Sequence, residues 1–324
     1  MVRTADLKYG ISGLKNHLQY FLHSKELGTT GGKLIILYHG IDYRNSTRYN
    51  TRFISIRKFE QEIVLLKKHF KVVDLETLLH SPLRTDALEV AITFDDGYEN
   101  NYTMARPILE KYQVPATFFI SRPQGCGYDI LWADLIDMGV NEAPDEVMIG
   151  GVDFHKIQGQ HRNSEGLDLK TLCARGSRTF LDEVYRTFLP YTGFMQKPEM
   201  APYWKLLSED QIRDLSNHDL FKIGAHGLMH SSIHLLSLEE AGRELSGSKS
   251  ILEEIIQKPV NYFAYPHGVA NEDSVLLAAG LGYEAQFLAN PSNLEHMENV
   301  YNRMGINPFI SARGQTYCFH HRHY

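Results

Sequence analysis

The chain has 324 residues, 43% apolar and 22% charged, with 33 basic against 39 acidic side chains and a net charge of −6. That balance describes a folded globular protein with room for a sizeable core, and it argues against a disordered chain. Mild acidity without a basic run argues against nucleic acid as a partner, and no apolar run is long enough to span a bilayer.

In chain order, the first segment (1–32) places Leu7, Ile11, Leu14, Leu18 and Phe21 or Leu22 at helical spacing, the pattern of an amphipathic helix. Such a stripe suits either a membrane surface or its own domain, and packing on the domain is the expectation adopted. The same residues lack an uninterrupted apolar stretch and a small-residue cleavage site, which points to a cytoplasmic protein, with peripheral membrane association as the other option. Lys33–Gly40 (KLIILYHG) reads as the first strand, and Ser55 as the cap of a helix carrying Phe59, Ile63, Leu66 and Phe70 on one face. Glu89–Asp96 is the next strand, followed by a helix over 101–112 and a strand at Ala116–Ser121.

Region 122–208 breaks the rhythm. It is Gly-rich and polar over 150–166, holds one expected helix at 169–189, and reads as an insertion, not an independent domain. Regularity then returns with a strand at Phe221–His226, a capping box of Ser237 and Glu240 opening a helix over 238–256, and strands at Val260–Pro266, Ala285–Ala289 and Tyr301–Asn307. A helix at 271–279 lies between the first two of those strands, and 311–324 is taken as a frayed tail. Alternating strands and helices imply a parallel α/β sheet, and about seven strands without a GxGxxG fingerprint favour a (β/α) barrel over a doubly wound sheet.

Polar residues collect at strand ends. His39 ends the first strand, Asp95 and Asp96 the second clear one, His226 another, and Tyr265 and His267 a further one. In a parallel barrel these ends converge on one rim, where active sites are built. Asp96, His226 and His230 offer one carboxylate and two imidazoles, a donor set for a divalent metal with positions left open. Each element is weak alone: H-x-x-x-H arises readily among 16 histidines, and Asp-Gly is ordinary turn chemistry. Their joint placement at strand ends is what counts. Cys126, Cys173 and Cys318 are an odd set without CxxC spacing and support neither a disulfide framework nor a thiolate zinc site.

Three segments, Thr93-Phe94-Asp95-Asp96-Gly97, His226-Gly-Leu-Met-His230 and Phe263-Ala-Tyr-Pro-His-Gly268, resemble the first three motifs of the polysaccharide deacetylases, carbohydrate esterases that share the NodB homology domain. The resemblance covers about residues 33–310. Leu37-Tyr38-His39-Gly40-Ile41 and Asn302-Arg303-Met304-Gly305-Ile306 are similar to the branch that de-N-acetylates surface polysaccharides. It implies a deformed (β/α)7 barrel of parallel strands and metal-dependent removal of an acetyl group from an N-acetylated sugar of a polysaccharide or glycan precursor. Asp96, His226 and His230 would hold the metal, commonly Zn2+ with other divalent ions possible. Asp95 would be the general base, and the backbone N–H of His267 would stabilise the oxyanion.

Two departures qualify this. Many members carry an Arg in the third motif where this chain has Ala264, and a general-acid His in the last motif where it has Gly305-Ile306-Asn307. His39 is expected to replace the missing acid, and Arg303 is a candidate for orienting Asp95. Tyr98, Tyr265 and Arg303 are the candidate substrate-binding residues. His234 is expected to cap or to face solvent, and the tail residues His320, His321 and His323 to hold no fixed geometry. Two rivals remain: a glycan-binding relative without turnover, and another C–N hydrolase, a deformylase or ureide hydrolase, on the same scaffold.

Overall fold

The computed structural model describes residues 4–44, 49–289, 294 and 296–321, with side chains from Leu14 onward. Its framework is eight parallel strands, six of largely buried residues, Gly32–Tyr38 (β1), Leu88–Phe94 (β2), Ala116–Ile120 (β3), Phe221–Ala225 (β4), Tyr262–Ala264 (β5) and Ala285–Leu288 (β6), and two that are only part buried, Val300–Asn302 (β7) and Met304–Gly305 (β8). Their order is β7-β6-β5-β4-β3-β2-β1-β8, and a short strand at Lys71–Val72 also pairs with β2. Only Arg303 separates β7 from β8. One stretch of chain therefore pairs β6 on one side (Leu288 opposite Asn302) and β1 on the other (Ile36 opposite Met304). This nearly closes the sheet into a barrel, and with β7 and β8 taken as one strand the count is the seven expected from the sequence.

Helices cover the sheet in the expected rhythm. Thr4–His23 (α1) precedes the barrel; Ile56–His69 (α2) is capped by Ser55, whose Oγ accepts from the Lys58 N–H. Arg106–Tyr112 (α3) continues a π-helical turn at Asn101–Ala105, so the expected helix over 101–112 forms with a widened first half. Within the insertion lie Trp132–Gly139 (α4), Leu169–Ala174 (α5) and Arg178–Phe188 (α6). After it come Leu238–Ile256 (α7), Glu272–Gly280 (α8) and Ala312–His321 (α9). Ser237 caps α7 by accepting from the Glu240 N–H, but the Glu240 carboxylate takes the Ser237 hydroxyl, so the reciprocal half of the capping box is absent.

Four local expectations change. The α1 stripe does not pack: Leu14, Leu18, Phe21 and Leu22 are each more than half exposed. The helix docks instead through a neighbouring face, with Asn16 on the Cys318 thiol, His17 on Ser311 and Tyr20 on His69. Leu7 and Ile11 lie outside the described side chains. The tail forms α9, packed on α1 and α2, and His320 is buried with Nδ1 accepting from the Gly28 N–H; His323 lies outside the described residues. The single helix of 169–189 divides at Gly176 into two, each with its own cap, Asp168 and Ser177. The polar stretch around 150–166 contains an antiparallel sheet of Glu146–Ile149, Val152–Ile157 and Gln160–Arg162, joined by two-residue turns at Gly150-Gly151 and Gln158-Gly159, all with positive φ.

The insertion has an apolar cluster separate from the barrel core. Trp132, Phe154, Val184, Tyr185 and Phe188 build it, and Phe53, Tyr98 and Met229 from barrel loops complete it. That junction sits over the rim where β1, β2, β4 and β5 end.

Candidate active site

The turn after β2 carries the two carboxylates. The Asp95 N–H donates to the Tyr38 carbonyl, which extends pairing with β1, and the chain then reverses through Asp96 (φ 75°) and Gly97 (φ 82°). Gly97 is required here: a Cβ at that position would lie 2.7 Å from the Ile120 side chain, in a conformation that side chains already disfavour. The reversal sends Asp95 and Asp96 in different directions. Asp95 meets Arg303, whose Nη1 and Nη2 each donate to one carboxylate oxygen at 2.7 Å. Burial works against the Asp95 charge, yet the guanidinium holds its carboxyl below the ordinary value.

Asp96 meets two imidazoles. His226 follows β4 and His230 follows the next turn; their Nε2 atoms lie 3.4 and 3.2 Å from Asp96 Oδ1. All three residues are buried, and their ligand atoms fall within 4.8 Å of one another. Neither oxygen of Asp96 and neither nitrogen of His230 makes a hydrogen bond, although all four are buried. Such groups are costly to leave unsatisfied, and a divalent cation among them would satisfy them together. The Ala264 carbonyl accepts from His226 Nδ1 at 2.7 Å, which fixes the tautomer and leaves the Nε2 lone pair facing Asp96. Burial keeps His230 below the usual imidazole value, hence neutral, the form that ligates. The donor set fits a divalent metal.

His267 and His39 flank this group. The His267 ring stands 4.9 Å from that of His230, on a turn where His267 has φ 61°. Three of the seven non-glycine residues with positive φ among those described, Asp96, His230 and His267, thus belong to one site, which is where stored backbone strain is expected to concentrate. His39 shares the field of Asp95, Asp96 and His226; burial, with Arg52 nearby, pushes it down to about 3.

The three candidate substrate-binding residues do not reach the cleft. The Tyr98 ring is wholly buried in the insertion's apolar cluster, and its hydroxyl donates to Asp134 at 2.8 Å. Tyr265 is equally buried, its hydroxyl shared between the Ser274 carbonyl and Gln286. Arg303 is 1% exposed and spends its donors on Asp95, Thr93 and the Leu288 carbonyl. Its two-point contact fixes the Asp95 carboxylate from a strand end where the third motif has Ala264.

Alongside His230 and His267, residues the sequence reading passed over, Arg52, Asp137 and Lys170, line the opening. A cleft of about 620 Å³, ligand-sized, is bordered by Arg52, Trp132, Asp137, Lys170, His230 and His267. The Arg52 guanidinium, part exposed, stands 3.7 Å from Asp96. Its Nε donates to Asn50 at 3.4 Å, and Asn50 donates to the Tyr98 hydroxyl. No local pattern marks Arg52. Glu244 is different: a charged residue on the buried face of α7, among Ala241, Leu245 and Ser248, is a signal visible in the sequence.

Comparisons with known proteins show the family and the fold. The polysaccharide deacetylase family model matches residues 83–142 and 175–286, more than half of the chain, and the chain belongs to that family. It is a carbohydrate deacetylase by that membership. A poly-beta-1,6-N-acetyl-D-glucosamine N-deacetylase of Staphylococcus aureus (strain MSSA476) is 26% identical over 74% of this chain; the alignment spans 63% of that protein. Among solved structures, the Streptococcus pyogenes deacetylase PplD in complex with acetate superposes with a TM-score of 0.55 at 18% identity, covering 88% of this chain and 97% of that one. IcaB from Ammonifex degensii gives 0.55 at 17% identity, covering 89% and 97%. These likenesses place the fold. No described helix is long and apolar enough to cross a membrane.

Proposed function

We propose that the protein removes the acetyl group from an N-acetylglucosamine unit of a polysaccharide or glycan precursor, with a divalent cation, zinc before other ions, held by Asp96, His226 and His230. The observation that carries this reading is the pairing of an unsatisfied carboxylate beside two imidazoles with a second carboxylate, Asp95, locked alongside by Arg303. A glycan-binding relative has no use for that second acid. The name of the staphylococcal relative favours β-1,6-linked N-acetylglucosamine as the polymer.

When bound, the cation would acidify a water and polarise the acetamide carbonyl. The remaining work falls to the protein. Asp95, ionised at neutral pH and held at two points, accepts the proton of the attacking water through lone pairs that Arg303 does not occupy. The backbone N–H of His267 backs the developing oxyanion from the Pro266–Gly268 turn. His39 protonates the departing amine. Burial leaves its ring neutral in the free protein, so the proton it delivers is the one Asp95 has taken from the water, handed on before the amine departs. Arg52 and Trp132 border the space beside the triad, where the sugar would lie.

The test is acetate release from β-1,6- and β-1,4-linked N-acetylglucosamine oligomers, with and without chelator, using Asp95→Asn as control. Chelator-sensitive release by the wild type alone supports the reading. A metal-loaded protein that frees acetate from neither oligomer overturns it.

A further inference from the structure

The His226–His230 turn is not a regular element. The His226 N–H donates to the Ile120 carbonyl, and the chain then passes through Gly227 (φ 78°) and reaches His230 (φ 59°), both left-handed. Such a path leaves adjacent backbone N–H groups without a ladder partner. They converge on one side chain: Leu228 N–H donates to Glu244 Oε2 at 2.9 Å, and Met229 N–H to Oε1 and Oε2 at 3.1 and 2.9 Å. Glu244 is the only charged residue on the buried face of α7, is 7% exposed, and has no cation within ion-pair distance among the described residues. A buried carboxylate without an ion pair is unfavourable unless hydrogen bonds compensate it; here they come from the backbone of this turn and of Ser231 just beyond it, with Arg178 attracting from farther off.

Fit is close on both sides. A Cβ on Gly227 would stand 3.1 Å from Glu244 Oε2, so the turn leaves room for the carboxylate and little else. A neutral apolar residue at 244 would orphan the Leu228 and Met229 N–H groups. A strained residue such as His230 persists only where its surroundings over-determine it.

We propose that Glu244 is the positioning residue of the metal-ligating turn: by gripping the Leu228 and Met229 N–H groups it sets the separation and direction of the His226 and His230 rings. This rests on the reading of Asp96, His226 and His230 as metal ligands. Glu244 touches neither cation nor substrate; it acts through the backbone between the two imidazoles.

Zinc affinity, measured by chelator competition on full-length protein, separates this from a role in stability alone. Glu244→Gln keeps size but turns an amide N–H toward an N–H donor, and zinc should dissociate roughly 10- to 100-fold more readily, the usual consequence of removing a partner behind a ligand. The visible bands of the cobalt-substituted variant should shift in the same protein. Its metal-free melting temperature should change far less than its zinc-loaded one. Glu244→Asp, which keeps the charge but falls short of the turn, supplies a second variant should the first not fold. A folded variant with wild-type zinc affinity and an unchanged cobalt spectrum overturns the role of Glu244 and leaves the metal site standing. A wild type that binds no zinc or cobalt overturns both.

Discussion

The barrel rim and the inserted region face the same cleft, yet they hold their side chains in opposite ways. At the rim each polar group comes from a strained turn after a strand and is fixed by a partner distant in sequence: Asp95 by Arg303, His226 by the Ala264 carbonyl, the His226–His230 turn by Glu244. The insertion is held by an apolar cluster of its own; of the polar residues it sends to the cleft, Asp134 is buried against the Tyr98 hydroxyl, while Asp137 and Lys170 are part exposed and pair with each other. Rigid, desolvated groups suit chemistry, because their charges are felt at full strength; solvated ones suit adaptable contact with a substrate. Substitutions at the rim should therefore act on metal content and kcat, and those in the insertion on KM.

The largest effect belongs to the ligands. His226→Ala and Asp96→Asn should each abolish stoichiometric zinc, read by elemental analysis, and with it all measurable acetate release. Full activity in either metal-free variant would end the distinction at once. Asp95→Asn comes next: zinc should stay bound while kcat falls by about 10²–10⁴, the range for a general base. His39→Ala should lower kcat by about 10², at the lower end of that range, with KM little changed; an unaltered kcat removes His39 from the reaction.

Arg303→Met sharpens the same contrast through stability. It leaves a buried carboxylate unpaired, at a cost of about 3–5 kcal/mol, visible as a lower denaturant midpoint. The pH dependence follows from Asp95. Its folded pKa lies below the ordinary carboxylate value, so the unfolded chain binds more protons in the acid range. The stabilisation is complete above the unfolded value, about 4, and is lost as pH falls toward the lowered folded value. Wild-type stability should therefore decline steeply below about pH 4, and Asp95→Asn should flatten that decline. An equally steep acid limb in the Asn variant would mean that other carboxylates dominate it.

How much of this was legible in the sequence also divides along the rim. Strand-end position in a parallel barrel is a strong geometric constraint that needs no knowledge of side-chain direction; it singles out Asp95, Asp96, His226 and His267, and the structure brings the four close together. Direction is where the reading failed. Tyr98 and Tyr265 sit as close to the strand ends as the ligands do, but both turn into apolar packing, and nothing in a one-dimensional pattern separates a residue facing the cleft from one facing the core. Arg303 was noticed but given two roles, since its partner lies 208 residues away. In the insertion, Val152–Ile157 is mostly exposed and alternates apolar with polar only over Val152–His155, a run too short to mark a strand by itself, so the Gly150-Gly151 and Gln158-Gly159 turns are the stronger sign of the hairpins.

The smallest expected effect tests the insertion's side of the comparison. Lys170 pairs with Asp137 at 2.6 Å, each side chain being 37% exposed, and both border the cleft. A part-exposed pair of this kind contributes at most about 1 kcal/mol to stability, so Lys170→Ala should fold and bind zinc as the wild type does. Removing the ammonium frees Asp137 to hydrogen-bond the sugar or to repel an anionic substituent. Either way the change lies in binding: KM on N-acetylglucosamine oligomers should move by about two- to fivefold, equivalent to 1 kcal/mol or less, with kcat unchanged. A hundredfold fall in kcat would show that the insertion reaches the reacting atoms and that the chemistry is not confined to the rim.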